Sequence, residues 1–232
     1  MGMLTPVYII AADLPLLLKS SLRIVHFFGL ALDLGGATLL DIYLFKFMLN
    51  GRITKRVWVI FELGTLVVNV GLVLLWASGL GFLAYYFAFD PAKLANPKIW
   101  AKLAIVATLT LNGGILHWFV LPRVQQRIGR SLLDGIDRNH IALFATTGAL
   151  SAVSWYFPVL LGALSQLNGT VSATAILVHY GIAFALAAAT ANLVLMTIAG
   201  RARTASSPRY VEAPARRDRA VRHGSQWVGS LR

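Results

Sequence analysis

Residues 57–88 decide the fold class: they read VWVIFELGTLVVNVGLVLLWASGLGFLAYYFA and contain one acidic or basic side chain, Glu62. About 20 such residues in an α-helix cross the roughly 30 Å hydrocarbon core of a bilayer. A helix satisfies all of its backbone hydrogen-bonding groups internally, which a membrane-spanning segment must do. The stretch therefore predicts a transmembrane helix.

Four more segments have the same character, at residues 22–48, 98–121, 140–165 and 172–199. Of the 232 residues, 57% are hydrophobic and 13% are charged, whereas a soluble domain has roughly a quarter charged residues. We predict an all-α fold, a polytopic helical membrane bundle of about five transmembrane helices that occupies residues 19–200.

The orientation of this bundle is predicted from the Lys and Arg residues of its loops, since basic residues are retained on the cytoplasmic side. They cluster after the first and third spans, whereas the loop at residues 166–170 has no charge. The clusters are Lys46, Arg52, Lys55 and Arg56, and then Arg123, Arg127, Arg130 and Arg138. This alternation predicts an outside N-terminus and a cytoplasmic C-terminus.

The two ends of the chain differ from the bundle. Residues 1–18 contain Pro6, Asp13 and Pro15 and are expected to form an interfacial segment on the outer face. Residues 201–232 carry eight of the 21 Lys and Arg residues and are too polar to fold alone, which predicts a disordered cytoplasmic tail. We expect this tail to bind anionic lipids of the bilayer, and no nucleic acid, because no aromatic platform accompanies the arginines.

Cysteine is absent, which excludes disulfides, iron–sulfur clusters, cysteine zinc sites and thiol nucleophiles. Four methionines leave few soft ligands for copper(I). Redox chemistry in this chain therefore requires a cofactor held by other side chains.

The candidate site residues are the ionisable side chains within the spans, because burying them costs several kcal/mol unless they are paired or coordinate a ligand. Two histidine pairs are expected at matched depths. His26 and His179 lie at the outer side, where Lys102 joins them, and His117 and His140 lie at the inner side. Asp33, Asp41 and Glu62 are candidates for a proton or ion path.

A pair of neutral imidazoles from two helices is a ligand set for haem iron. We therefore predict cofactor binding by His26, His179, Lys102, His117 and His140, with His26 and His179 as the metal ligands of a b-type haem. The alternative is a hydrogen bond from each histidine to a neighbouring helix. Gly29, Gly35 and Gly36 either leave room for a flat macrocycle or only permit close helix packing.

Two stretches resemble a known family. The segment LRIVHFFG at residues 22–29, followed by Gly35-Gly36, resembles the first helix of the copper-resistance D family and of haem-J-type membrane protoporphyrinogen oxidases. Trp100-Ala101-Lys102-Leu103, followed by Asn112-Gly113, His117 and Pro122, resembles their Trp-x-Lys-Leu helix. The resemblance covers residues 20–125. It implies a multi-pass protein of the bacterial inner membrane that handles haem, porphyrin or copper, with His26 and Lys102 at matching positions.

Three functions remain open from the sequence. The first is a haem-binding protein for transmembrane electron transfer or porphyrin handling, a membrane oxidoreductase if it is an enzyme. The second is a metal-ion permease or homeostasis protein with a polar path. The third is a non-catalytic assembly subunit that docks other membrane redox subunits or a second copy of the chain.

Overall fold

The computed structural model describes residues 5–50, 54–126, 128–129 and 137–206, with side chains described for residues 13–46, 54–126, 128–129 and 137–201. Within these ranges the regular secondary structure is helical. The main helices are α1 (Thr5–Asn50), α2 (Lys55–Phe89), α3 (Pro97–Ile115), α4 (Leu121–Gln125), α5 (Arg138–Ala163) and α6 (Ala173–Ser206). Short 3₁₀ turns follow α2 and α5, at Pro91–Ala95 and Ser165–Leu167.

The all-helical prediction is confirmed, together with five helices long and apolar enough to cross a membrane. These candidate spans are Asp13–Lys46, Lys55–Phe89, Pro97–Gln125, Arg138–Ala163 and Ala173–Arg201. The orientation of the termini stays a prediction. The side chains of Arg52, Arg127 and Arg130, and residues 207–232 of the predicted tail, lie outside the described residues.

The first helix differs from expectation at its start. Residues 5–18 are continuous with the rest of α1 and pass through Pro15 without a break in the helix. The predicted interfacial segment is therefore part of the first long helix, and its position relative to a bilayer stays a prediction.

The third span contains an irregular turn near its C-terminal end. Leu116–Val120 form a π-helical segment between α3 and α4, and Pro122 is the second residue of α4. Proline has no backbone N–H and cannot complete the regular hydrogen bond to the residue four positions before it. The wider π turn accommodates this missing donor without ending the span.

Helices α1 and α2 pack as an antiparallel pair along what we call the α1/α2 seam. The seam residues are Leu22, His26, Gly29, Asp33, Gly36 and Leu40 of α1, and Gly64, Val68, Gly71, Leu75, Ser78 and Gly81 of α2. The alternating steps of four and three residues along α1 keep one stripe facing its partner, as in a coiled coil. Small residues in the stripe let the two backbones approach closely. The resulting van der Waals contacts hold the helices together in lipid, where no hydrophobic driving force acts between them.

The other three spans form a second group joined by polar contacts. The Asn112 amide of α3 donates to the carbonyl oxygen of Thr147 in α5 at 3.0 Å. The hydroxyls of Ser154 in α5 and Tyr180 in α6 lie 2.8 Å apart. The two groups meet in an apolar cluster of Ala37, Leu75, Leu109 and Trp155, which come from α1, α2, α3 and α5.

Candidate functional site

His26 is fixed by a hydrogen bond across the α1/α2 seam. Its Nδ1 lies 2.9 Å from the hydroxyl oxygen of Ser78. That hydroxyl has one proton, and it donates to the carbonyl oxygen of Leu74 at 2.6 Å. With this proton directed to Leu74, the hydroxyl oxygen is able to accept from Nδ1 of His26, and in that tautomer the lone pair of Nε2 is available. Phe82 contacts the ring edge-on, with the ring centroids 5.8 Å apart.

Two lysines of α3 lie beside the C-terminal end of α5. The buried Lys98 donates from Nζ to the carbonyl oxygen of Leu164 at 2.7 Å. Lys102, one turn later, is half-buried, and a Cβ atom built on Gly162 would lie 3.4 Å from its Nζ. Its ammonium is also the charged group that interacts electrostatically with His26. His26 and Lys102, which the sequence predicts to lie at the same depth, are thus brought into the same region.

Asp33 lies two turns along α1 from His26, inside the same seam. Its side chain is 0% exposed, and neither carboxyl oxygen has a hydrogen-bond partner among the described residues. It packs against Gly71, where an added Cβ would lie 2.9 Å from its carboxyl carbon. Burying a carboxyl group without a hydrogen-bond donor costs free energy. The presence of Asp33 in a packed seam therefore points to a functional role and not to a contribution to stability.

His179 lies on α6, beside the C-terminal part of α5. Its Nδ1 lies 2.7 Å from the carbonyl oxygen of Ala175, which can only accept, so its proton is also on Nδ1. The ring lines a mostly apolar cavity of about 440 Å³ between α5 and α6, beside Phe157 and Ile176. None of the contacts described for His26 involves His179. The pairing of these two histidines therefore stays a prediction.

The other four candidates, His117, His140, Glu62 and Asp41, have no described contact with one another. His117 is exposed within the π-helical segment, and His140 is half-buried in the first turn of α5. The exposed Glu62 accepts a 2.7 Å hydrogen bond from the indole of Trp58, one turn earlier on α2. Asp41 lines a groove between α1, α5 and α6. Among the described residues, no three His, Cys, Asp or Glu side chains group closely enough to hold a metal ion.

The structure also decides between the two interpretations of the span-one glycines. Gly29 and Gly36 face α2, where added Cβ atoms would lie 3.0 Å from the backbone nitrogen of Leu75 and 2.9 Å from a methyl carbon of Val68. These two glycines serve helix packing and leave no room for a macrocycle on that side. Gly35 faces open space, with nothing within 4 Å of an added Cβ.

Sequence reasoning missed two residues that shape this region, Ser78 and Lys98. Ser78 stands seven residues after Gly71 and fourteen after Gly64, so the spacing of small residues on α2 already places it on the packed stripe. Lys98 follows Pro97 at the start of a span and gives no local sign that it bonds the end of another helix.

Comparison with known proteins gives no assignment, because no protein-family model, curated protein or solved structure matches the chain.

Proposed function

We propose that this multi-pass protein binds b-type haem in the outer half of its bundle, that His26 would be one of the residues holding the iron, and that the protein acts in electron transfer or porphyrin handling. The observation that carries this is the hydrogen-bond relay from His26 through Ser78 to Leu74. Metal-ligating histidines typically donate one ring N–H to an oxygen while the other nitrogen binds the metal. In this arrangement Nδ1 of His26 is hydrogen-bonded to Ser78, and Nε2 is the nitrogen that remains to bind a metal.

Further support comes from the charges and from the second histidine. Lys102 is a cation near His26, suited to a propionate group of a porphyrin. His179 has the same Nδ1–H tautomer and is the proposed second ligand. Haem would supply one-electron chemistry when bound, and His26 and His179 would hold its iron through their ring nitrogens. We place the protein in the bacterial inner membrane with a cytoplasmic C-terminus.

The test is a visible absorption spectrum of the full chain, expressed with ample haem and purified in mild detergent. We expect a Soret band and a low-spin spectrum that His26→Ala and His179→Ala each abolish. Lys102→Ala should weaken haem retention more than it alters ligation. His223→Ala, in the tail, is the matched control and should leave the spectrum unchanged. A wild-type protein without a Soret band would overturn the proposal.

A second candidate function, proton or ion translocation, is favoured by the enclosed carboxyl of Asp33. Replacing an unsatisfied buried polar group by an apolar one of similar shape is often neutral or stabilising. Asp33→Val should therefore leave the free energy of unfolding unchanged or raise it, while abolishing ion or proton flux in liposomes. Wild-type liposomes without flux would exclude this function, whatever the stability of the variant.

A further inference from the structure

Helix α2 carries a row of polar side chains that neither the α1/α2 seam nor the proposed haem site uses. Glu62, Asn69 and Trp76 follow one another at seven-residue steps and therefore share one face of the helix. The Glu62 carboxylate accepts from the Trp58 indole at 2.7 Å. The Trp76 indole donates to the hydroxyl of Thr110 in α3 at 3.0 Å. Asn69, between them, is exposed and has no hydrogen-bond partner among the described residues.

Asn69 lies deep in its span. It stands three residues before position 72, the middle of the candidate span Lys55–Phe89, which is about 4.5 Å along the helix axis. The hydrocarbon core of a bilayer is roughly 30 Å thick, and the ester groups and headgroups of phospholipids lie outside it. Acyl chains, which do reach this depth, have neither a donor nor an acceptor for an amide. Ordinary bilayer lipid therefore leaves Asn69 unsatisfied, at a cost in free energy.

The other two asparagines deep within the spans are paired inside the chain. The buried Asn112 donates to the carbonyl oxygen of Thr147 at 3.0 Å. The half-buried Asn192 donates to the hydroxyl oxygen of Thr146 at 3.2 Å. Asn69 differs from both, because its amide points away from the described helices and is left for a partner outside the chain.

A second copy of the chain has the complementary group at the matching depth. A primary amide has two N–H donors and a carbonyl acceptor, so two identical amides can bond each other. Copies of one chain enter the membrane in the same orientation. A two-fold axis along the membrane normal therefore brings both Asn69 residues to the same depth, where each meets its own counterpart. An asparagine between two parallel helices fixes their register in this way.

The positions around Asn69 have the spacing of a helix–helix contact. Leu66 and Val73 lie one turn to either side of it and are 59% and 67% exposed. The alternating steps of three and four residues keep one stripe turned toward a parallel partner helix. None of its residues belongs to the α1/α2 seam. We call this stripe the Asn69 face, and its residues are Leu66, Asn69, Val73, Trp76 and Leu80.

We propose that two copies of this chain associate in the membrane through the Asn69 face, as a parallel two-fold dimer in which the two Asn69 amides hydrogen-bond to each other. This dimer uses none of the proposed haem ligands. Its test does not depend on haem, so the dimer and the proposed function stand or fall separately.

The first experiment identifies what the Asn69 face touches in native membranes. The chain has no cysteine, so one introduced cysteine is its only thiol. Val73→Cys is compared with Leu186→Cys, because these side chains are 67% and 65% exposed and each lies one residue from the middle of its candidate span. Oxidation with iodine should link Val73→Cys into dimers and leave Leu186→Cys monomeric. A product that contains a different protein, equal linking of both variants, or no product from Val73→Cys would overturn the proposal.

The second experiment measures the contribution of the amide. Energy transfer between full-length copies labelled at Lys93→Cys, an exposed position, gives the dissociation constant of the dimer in liposomes. Asn69→Leu keeps the size of the side chain and removes both donor and acceptor. We expect it to weaken association roughly 3- to 30-fold, the range for hydrogen bonds between membrane helices. Asn69→Gln keeps the amide and should retain most of the wild-type affinity.

Thr190→Leu is the matched control for the loss of a polar side chain. Thr190 is also exposed and three residues from the middle of its candidate span, but its hydroxyl donates to the Leu186 carbonyl of its own helix at 2.8 Å. Its replacement should leave the dissociation constant unchanged. The proposal is wrong if the wild-type chain stays monomeric or forms a larger oligomer, if Asn69→Leu associates as tightly as wild type, or if Thr190→Leu weakens association equally.

Discussion

Ser78 shows how one hydroxyl group sets the chemistry of a histidine on another helix. When its single proton is used by the Leu74 carbonyl, its oxygen can accept from Nδ1 of His26, and the free lone pair of the imidazole is then on Nε2. Loss of the hydroxyl removes both the interhelical bond and the preference for one tautomer.

We therefore predict that Ser78→Ala lowers the free energy of unfolding by about 0.6 kcal/mol and by no more than about 1.7 kcal/mol, the average and the maximum measured for interhelical hydrogen bonds in a membrane protein. Nitrogen NMR of labelled histidine should report a mixture of His26 tautomers in the variant. Thr65→Ala on the same helix is the control, because the Thr65 hydroxyl bonds only the Phe61 carbonyl of its own helix. A single Nδ1–H tautomer in Ser78→Ala would show that the hydroxyl does not control the ring.

At the scale of single residues, the sequence predicts which side chains are candidate site residues better than it predicts which residues they contact. His26, Lys102 and Asp33 stand out because ionisable groups are rare in apolar spans. Their surroundings are decided by side chains of ordinary type, such as Ser78 and Gly71, whose importance depends on which helix faces which. That information lies in tertiary packing, so the contacts of His26 with Ser78 and of Asp33 with Gly71 were not predictable from depth alone.

At the scale of helices, the α1/α2 seam depends on glycines where backbones meet. A Cβ at Gly71 would lie 2.8 Å from the backbone nitrogen of Asp33 and 2.9 Å from the carbonyl oxygen of Gly29. Both contacts are to backbone atoms, which cannot move aside without separating the helices. Gly79, on the same helix, has nothing within 4 Å of an added Cβ.

We predict that Gly71→Ala destabilises the protein by about 1–3 kcal/mol, the usual cost of overpacking. Gly79→Ala should be neutral or stabilising by up to about 1 kcal/mol, since alanine favours helix. Unfolding by steric trapping in bicelles measures both. Equal stabilities of the two variants would contradict the packing of α1 against α2 at Gly71.

Lys98 connects α3 to the end of α5. Its ammonium donates to the Leu164 carbonyl, one of the backbone acceptors that a helix C-terminus leaves without an internal partner. Lys98→Met keeps the apolar part of the side chain and removes the donor. We expect a loss of about 1.5–3 kcal/mol in the free energy of unfolding, typical of a hydrogen bond from a charged group.

The control is Lys93→Met, since Lys93 is exposed in the turn before α3. Its replacement should change stability by less than about 0.5 kcal/mol. Faster proteolysis between Leu164 and Ala173 in Lys98→Met, without such change in Lys93→Met, would locate the effect at the end of α5. Identical proteolysis of the two variants would show that the Lys98 contact does not stabilise this loop.

Helix positions are largely predictable because hydrophobic runs of spanning length have few alternative structures. The second span, expected at residues 57–88, is observed at Lys55–Phe89. The π-helical segment and the extension of α1 to Thr5 were not predicted, since both depend on how a chain continues past a proline. The spacing of apolar residues does not indicate whether a helix continues past a proline.

At the scale of the whole molecule, the surface differs from that of a soluble protein. Large apolar side chains are exposed along every span, with Phe27 at 61% and Leu193 at 70%. Polar contacts such as Ser154–Tyr180 lie between helices. Water would penalise this arrangement, whereas lipid favours it, because hydrocarbon solvates the apolar faces and leaves interhelical hydrogen bonds without competition.

The topology of this bundle gives the last prediction. The loop between α5 and α6 has no charge, whereas basic residues flank the other end of α6 and the end of α1. A reporter fused after Asn168 should therefore read as external, and one fused after Arg203 as cytoplasmic, because the candidate span Ala173–Arg201 separates them. A reporter inserted after Lys93 should agree with Asn168, since two candidate spans lie between these sites. If the Asn168 and Arg203 fusions report the same side, α6 does not cross the membrane. The groove that Asp41 lines between α1, α5 and α6 would then lose a wall within the bilayer.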